Sequence, residues 1–212
     1  MRASKKTVRR TQQERREATR RLLIEAAIDC ICEFGFAAST LDAITARAGV
    51  TRGAVQHHFG TGDELLLAVV EDLNAKLSAL ADAGTLAGRS LAERLASVCD
   101  HLWETLSSRH FVAAIQIQLG TVTDPLLSQR VLKIMVKIEN DLDRQWMQLF
   151  AADDIAPARI VTARHVAQAA LRGLAIKQIY RKRRKKSEAE RALLLDMLRH
   201  ACRSERRLRL VR

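Results

Sequence analysis

Apolar positions recur along most of this chain at intervals of three and four residues. That is the period of amphipathic helices, and no stretch alternates as a strand would. A first long helix is expected after Thr11, which stands at capping-box distance from Glu14. Its apolar stripe is Leu22, Leu23, Ala26, Ala27, Cys30, Ile31 and Phe34, and Gly35 ends it. Two short helices follow. Ser39 or Thr40 caps the first, Asp42 keeps capping-box spacing to Ser39, and Leu41, Ile44 and Ala48 share one face. Gly49 comes next, where a chain leaving a helix often needs positive φ. Thr51 caps the second short helix, which turns Val55 and Phe59 inward and Arg52, Gln56, His57 and His58 outward. Thr61 and Glu64 then open a long fourth helix carrying Leu65, Leu66, Val69, Leu73, Leu77 and Leu80.

Residues 81–89, with two glycines, form the first real break. Ser90 and Glu93 cap the next helix, with Leu91, Leu95, Val98, Leu102, Trp103 and Leu106 on its apolar side. A nearly apolar segment runs from Phe111 to Leu119. Asp124, ahead of Pro125, starts a helix that reaches about Phe150 through Leu127, Val131, Ile134, Ile138, Leu142 and Trp146. Two last helices are expected, one from Ala158 to Tyr180 and one capped by Ser187 and Glu190. The six basic residues Arg181 to Lys186 lie between them, a solvated loop by default. The chain is therefore expected to be all-α. Its length suffices for a sizeable core without disulfides or metals.

Charge changes the picture. The net charge of +12 and pI near 10.3 call for a polyanionic partner, nucleic acid first and an anionic membrane surface second. Much of that charge sits at the start of the chain. Through Arg21, nine basic side chains against two acids leave +7, an arm suited to phosphates or the minor groove. No run of about twenty uncharged apolar residues marks a membrane span. The basic start is followed by no signal-like apolar stretch, so a cytoplasmic protein is expected.

Two short helices around a Gly-containing turn, with hydrogen-bonding side chains on the second, suit insertion into a DNA major groove. The order Ala26-Ala27, Phe34, Ser39-Thr40, Ile44, Ala48-Gly49-Val50-Thr51, Gly53 and His57-His58-Phe59 resembles the N-terminal signature of the TetR family of bacterial transcriptional regulators. The close resemblance covers about Arg20 to Leu66. It implies an N-terminal three-helix DNA-binding domain with a helix-turn-helix, and a larger helical C-terminal domain for ligand binding and dimerisation. The expected division is residues 1–20 for the arm and start of the first helix, 21–66 for the DNA-binding domain and 67–212 for the rest. The resemblance also makes the fourth helix the mechanical link between the domains.

On that resemblance the DNA-binding residues are Thr40, Arg47, Thr51, Arg52, Gly53, Gln56 and His57. Arg52 is the best candidate for a base edge, because Arg matches guanine with two hydrogen bonds. Thr40, Thr51, Arg47 and His57 suit phosphates, and Gly53 permits close backbone approach. Gln56 stands where the family usually has Tyr, Thr45 where Ala is usual, and Gly62 where a basic residue often meets phosphate. Gln can bond adenine, so Gln56 is expected to read a base.

The resemblance implies a homodimer through the last two helices. Its expected interface residues are Ala163, Ala167, Ala170, Leu174, Leu194, Leu198 and Ala201. It also implies a pocket for a small organic effector of unknown identity. The candidate lining is Leu102, Trp103, Phe111, Ile115, Leu119, Trp146 and Phe150, with His101, Gln116 and His165 as polar anchors. These aromatic and apolar residues also suit a plain core.

No phosphate loop, nucleophile elbow or metal-ligand cluster is present, so neither enzyme chemistry nor a cofactor or metal is expected. His57 and His58 are adjacent on a helix and diverge by about 100°, which prevents a shared ion. Cys30 and Cys32 likewise face different ways. The leading expectation is a ligand-released repressor on a palindromic double-stranded operator. The alternatives are a regulator controlled by a partner without a ligand, and a charge-driven binder of acidic polymers or membrane surfaces.

Overall fold

The computed structural model describes residues 11–79, 86, 88–179 and 187–203. Residues 1–10 of the arm, most of the 81–89 break, Leu80, Tyr180 and the basic run Arg181 to Lys186 lie outside the described residues. The described residues form nine α-helices and no strand. They are α1 Gln12–Phe34, α2 Leu41–Ala48, α3 Arg52–Phe59, α4 Gly62–Ser78 and α5 Leu91–Leu106, then α6 Arg109–Gly120, α7 Pro125–Leu149, α8 Pro157–Ile179 and α9 Glu188–Ala201.

Local chemistry sets most of these boundaries. Full capping boxes open α1, through Thr11 and Glu14, and α5, through Ser90 and Glu93. The Asp124 carboxylate accepts from the backbone N–H groups of Leu126 and Leu127 ahead of Pro125 at the start of α7. Thr40, not Ser39, caps α2, its hydroxyl accepting from the Ala43 N–H. The Ser39 hydroxyl instead donates to the Gly35 carbonyl. At the start of α9, by contrast, the expected cap Ser187 makes no side-chain capping bond, and its hydroxyl accepts from Gln178 Nε2 at 3.3 Å.

Burial falls into two cores. The first joins α1 to α4 with Ala113 and Ile117 of α6 and Leu127 and Val131 of α7. The second joins the end of α4 with α5 to α9. The passage from one to the other falls inside α4, between Val70 and Leu73, so α4 belongs to both. Within α1 the buried face is rotated from the expected stripe. Leu22 and Phe34 are exposed and Ile24 and Ile28 are buried instead. Phe34 lies under the Arg47 guanidinium, 5.4 Å from its ring centre, and is shielded there.

The second core contains a charge. Arg164 of α8 has no solvent exposure. Its guanidinium pairs with Asp143 and, at 2.8 Å, with Glu139 of α7, and it also donates to Gln168. Gln168 in turn donates to Glu139 at 2.8 Å. Glu139 and Asp143 are four apart on α7, and Arg164 and Gln168 four apart on α8. Each pair therefore projects from one helix face. The network is satisfied as a unit, the condition for a charge to remain in an apolar interior.

Candidate DNA-binding surface

The turn between α2 and α3 is built by Gly49, whose φ of 65° and ψ of 31° place it in the left-handed region. Its N–H returns to the last turn of α2, and half-buried Val50 fills the angle between the helices. Val55, only 1% exposed, fastens α3 to the core beneath. That anchoring leaves Thr51, Arg52, Gly53, Gln56 and His57 all exposed on the opposite side. The Thr51 hydroxyl makes no capping bond. It is thus available at a helix N-terminus, where backbone N–H groups and dipole favour an anion. A Cβ on Gly53 would meet nothing closer than the Thr51 hydroxyl at 3.6 Å, so internal packing does not demand glycine there.

Two of the expected contacts already hold acids. Arg52 pairs with Asp42 of α2, and Arg47 pairs with Glu33 of α1. Phe59 is half-buried against the first core, with the Arg20 guanidinium 4.9 Å above its ring centre. His58 beside it is half-buried, and its Nδ1 has no protein partner. Its pKa is lowered, first by burial and then by the neighbouring charges of His57, Arg16 and Arg20.

The structure adds residues that the helix-turn-helix pattern did not name individually. α1 starts at Gln12, so Arg15, Arg16 and Arg20 belong to a helix and not to the arm. Together with His57 and His58 they line an open groove of about 890 Å³ beside α3. The signal in the sequence was the capping box at Thr11, which places Arg16 and Arg20 one turn apart on one face.

The DNA-reading helices are tied to the C-terminal helices by more than α4. The Gln116 side chain of α6 accepts a hydrogen bond from the Phe36 N–H at 3.2 Å. Gly120 lets α6 lie on the Phe36 ring, since a Cβ there would sit 2.2 Å from a ring carbon. Arg109 pairs with Glu25 and Asp29 of α1. His110 Nε2 lies 3.4 Å from Glu25 and 3.6 Å from Asp72 of α4. Arg130 of α7 pairs with Glu64 at the start of α4.

The expected effector lining does not converge on a pocket. His101, Leu102 and Trp146 do border one enclosed space, with Leu77, Val98 and Leu149, but its volume is about 20 Å³. That holds about one water and falls far below the roughly 300 Å³ at which ligand sites begin. His101 Nε2 donates to the Lys76 carbonyl at 2.8 Å. Phe111 and Phe150 are sealed in the second core and Ile115 packs half-buried against it. Gln116 is spent on Phe36. Trp103 lies under the Arg191 guanidinium, Leu119 is 68% exposed, and His165 is exposed beside Asp143. Aromatic side chains that suited a cavity are packed against one another, as Trp146 and Phe150 are at 5.7 Å between ring centres.

The expected dimer face also needs correction. Ala163, Ala167, Leu194 and Leu198 are buried in their own subunit, and Ala170 and Leu174 are half-buried. The first four offer almost no surface to a partner. Of the expected set, Ala201 is exposed. The exposed apolar side of this pair of helices is Val166, Ala169 and Gly173 on α8, with Leu193 and Met197 on α9.

Burial raises the thiol pKa of all four cysteines, that of Cys99 to about 12, which favours the protonated thiol at neutral pH. Among the described residues no group of His, Cys, Asp and Glu could hold a metal ion, and no helix is long and apolar enough to cross a membrane.

The family model described as "Bacterial regulatory proteins, tetR family" matches residues 23–69, which contain all of α2 and α3. The chain belongs to the TetR family. Its similarity to the transcriptional regulator CymR of Pseudomonas putida is 25% identity over 191 residues, 90% of this chain and 94% of that one. An uncharacterised regulator of Mycobacterium tuberculosis, Rv2912c, is 46% identical over 69 residues, 32% of this chain and 35% of its own length. The higher identity is thus confined to about a third of each chain. Among solved structures, a transcriptional regulator from Rhodococcus (RHA1_ro04179) superposes with a TM-score of 0.65 at 22% identity, covering 86% of this chain and 95% of that one. FadR of Bacillus subtilis, in complex with stearoyl-CoA, gives 0.64 at 18%, covering 84% and 96%. Likeness at these identities establishes the fold of this TetR-family chain over nearly its whole length. It is a DNA-binding transcriptional regulator.

Proposed function

We propose that the chain is a homodimeric repressor that reads a palindromic operator with α3 and is released by a small apolar or amphipathic molecule. The observation that carries the DNA part is the exposed α3 face, with Val55 buried behind Thr51, Arg52, Gln56 and His57. Arg52 and Gln56 read base edges, while Thr51, Arg15 and Arg16 hold phosphates. The Arg52→Ala and Gln56→Ala variants should each cost about 1–3 kcal/mol at the operator and relax one base position, whereas Thr51→Ala should weaken all sequences alike. Competition of operator against scrambled duplex measures this. Equal loss on both duplexes for Gln56→Ala would make Gln56 a backbone contact.

The effector part is supported by neighbours of the same fold that were crystallised with ligands. FadR holds stearoyl-CoA, and EbrR, a multidrug-binding protein, holds imidazole. In this chain the space among α4, α5 and α7 is closed, so an effector has to open it by parting those helices. Opening would act on α4 directly, because Leu77 borders that space. To induce, the ligand must favour the DNA-incompetent dimer, a coupling of about 1–3 kcal/mol.

The dimer is assigned to the exposed apolar side of α8 and α9. Leu193 and Met197 are 63% and 58% exposed, and Val166 is 49% exposed, on faces that are otherwise unpartnered within the subunit. Val166→Glu and Met197→Glu should each yield a folded monomer with weakened operator binding. Sedimentation that finds an intact dimer for both variants would refute this face. Ala167→Glu is expected to unsettle the subunit itself, since Ala167 is internal.

A further inference from the structure

Arg52 does not stand alone on the DNA-reading surface. Its Nε donates to Oδ1 of Asp42 and its Nη2 to Oδ2, a two-pronged ion pair that reaches from the first turn of α3 to the first turn of α2. Both side chains are 66% exposed, and solvent-exposed ion pairs typically contribute no more than about 1 kcal/mol to folding stability. With α3 in the major groove, an exposed carboxylate in that place would also work against affinity for the phosphates that a net charge of +12 attracts. Its place in the first turn of α2 favours an acid by the helix dipole, and its pairing with Arg52 adds a second consequence.

That consequence follows from the geometry of guanidinium. The group carries five N–H donors in a fixed fork. Asp42 takes the edge made by Nε and one hydrogen of Nη2. The remaining edge, with both hydrogens of Nη1 and the other of Nη2, stays free, and two parallel donors are what guanine O6 and N7 accept. A long side chain held by a two-pronged pair has fewer rotamers to lose when it meets a base. An unpaired arginine would settle equally well on any phosphate.

We propose that Asp42 is a specificity-setting residue, which holds the Nε edge of Arg52, presents the opposite edge to a guanine and keeps the guanidinium off the phosphate backbone. This rests on the reading that α3 enters the major groove with Arg52 at a base edge. Asp42 positions Arg52 and itself touches no base. The hydrogen bonds from Arg52 hold the Asp42 carboxyl below its ordinary pKa, so it is ionised at neutral pH.

The test uses the full chain, an operator duplex selected from a random pool, and a scrambled duplex of the same composition. For Asp42→Ala, binding to the scrambled duplex should tighten a few-fold and operator binding should weaken, so that the ratio between them falls about tenfold. The base position that becomes degenerate should be the one relaxed by Arg52→Ala. In an Arg52→Ala background, adding Asp42→Ala should leave the ratio unchanged. Asp42→Asn, with the same side-chain shape, covers any disturbance of α2 by alanine. An unchanged ratio for Asp42→Ala and Asp42→Asn, with a reduced ratio for Arg52→Ala, would overturn the role of Asp42 and leave Arg52 as a reader. An unchanged ratio for Arg52→Ala would remove the underlying reading and the proposal with it. An equal fall for Asp42→Ala in both backgrounds would show Asp42 acting without Arg52, which also overturns it.

Discussion

Operator affinity should fall by about 10³–10⁵ between roughly 50 and 200 mM salt, the response of a protein that neutralises about 6–10 phosphates. The charge needed is present in two places. The arm of residues 1–10 carries Arg2, Lys5, Lys6, Arg9 and Arg10. Arg15, Arg16 and Arg20 follow on the first turns of α1, where they line the groove beside α3 with His57 and His58. Counterion release depends on how many phosphates are met and not on which bases are read. Removing residues 1–10 should therefore flatten the plot of log affinity against log salt and leave sequence preference mostly intact. Arg16→Ala should reduce the slope by about one. Titrations at several salt concentrations, with operator and scrambled duplex, give both quantities. A slope unchanged by the deletion would remove the arm from the interface.

The second large effect concerns stability. Arg164→Ala should destabilise the fold by about 3 kcal/mol, the low end of the cost of breaking a buried pair. The low end applies because Glu139 and Asp143 keep partial contact with water, with side chains 36% and 20% exposed. For a chain of this size the melting temperature should drop by about 6–12 °C. Protein concentration has to be held fixed, since the apparent stability of the proposed dimer would depend on it. The variant with Arg164→Met, Glu139→Gln and Asp143→Asn should recover much of the loss, because the damage lies in the unpaired charges. A melting temperature unmoved by Arg164→Ala would show the network to be idle.

These two effects differ in how visible they were in the sequence. The helix starts were legible because caps are local: Thr11 with Glu14, Ser90 with Glu93 and Asp124 with Pro125 each act within four residues. The turn at Gly49 was legible for the same reason, and with it the outward face of α3. Which face of α8 turns inward was not legible. Ala163 and Ala167 lie on one side and Val166 and Ala169 on another, so apolar periodicity does not choose between them. The choice is made by Arg164, which must reach Glu139 and Asp143, and it carries its face inward with it. The closed interior around Trp146 was not legible either. Cavity volume depends on how the six helices of that core settle against one another, and the same aromatic and apolar residues serve a packed core or a pocket. The pairing of Arg52 with Asp42 crosses a turn of undetermined angle, so spacing alone did not reveal it.

The central claim is that α3 reads sequence from the major groove as part of a symmetric dimer. Hydroxyl-radical footprinting on the operator duplex, at near-physiological salt and with excess nonspecific competitor, tests it most directly. The expected result is two symmetry-related protected stretches about one helical turn apart, or a multiple of that spacing, lost with Arg52→Ala. Uniform protection along the duplex, removed by the same competitor at the same concentration for wild type and Arg52→Ala, would contradict it.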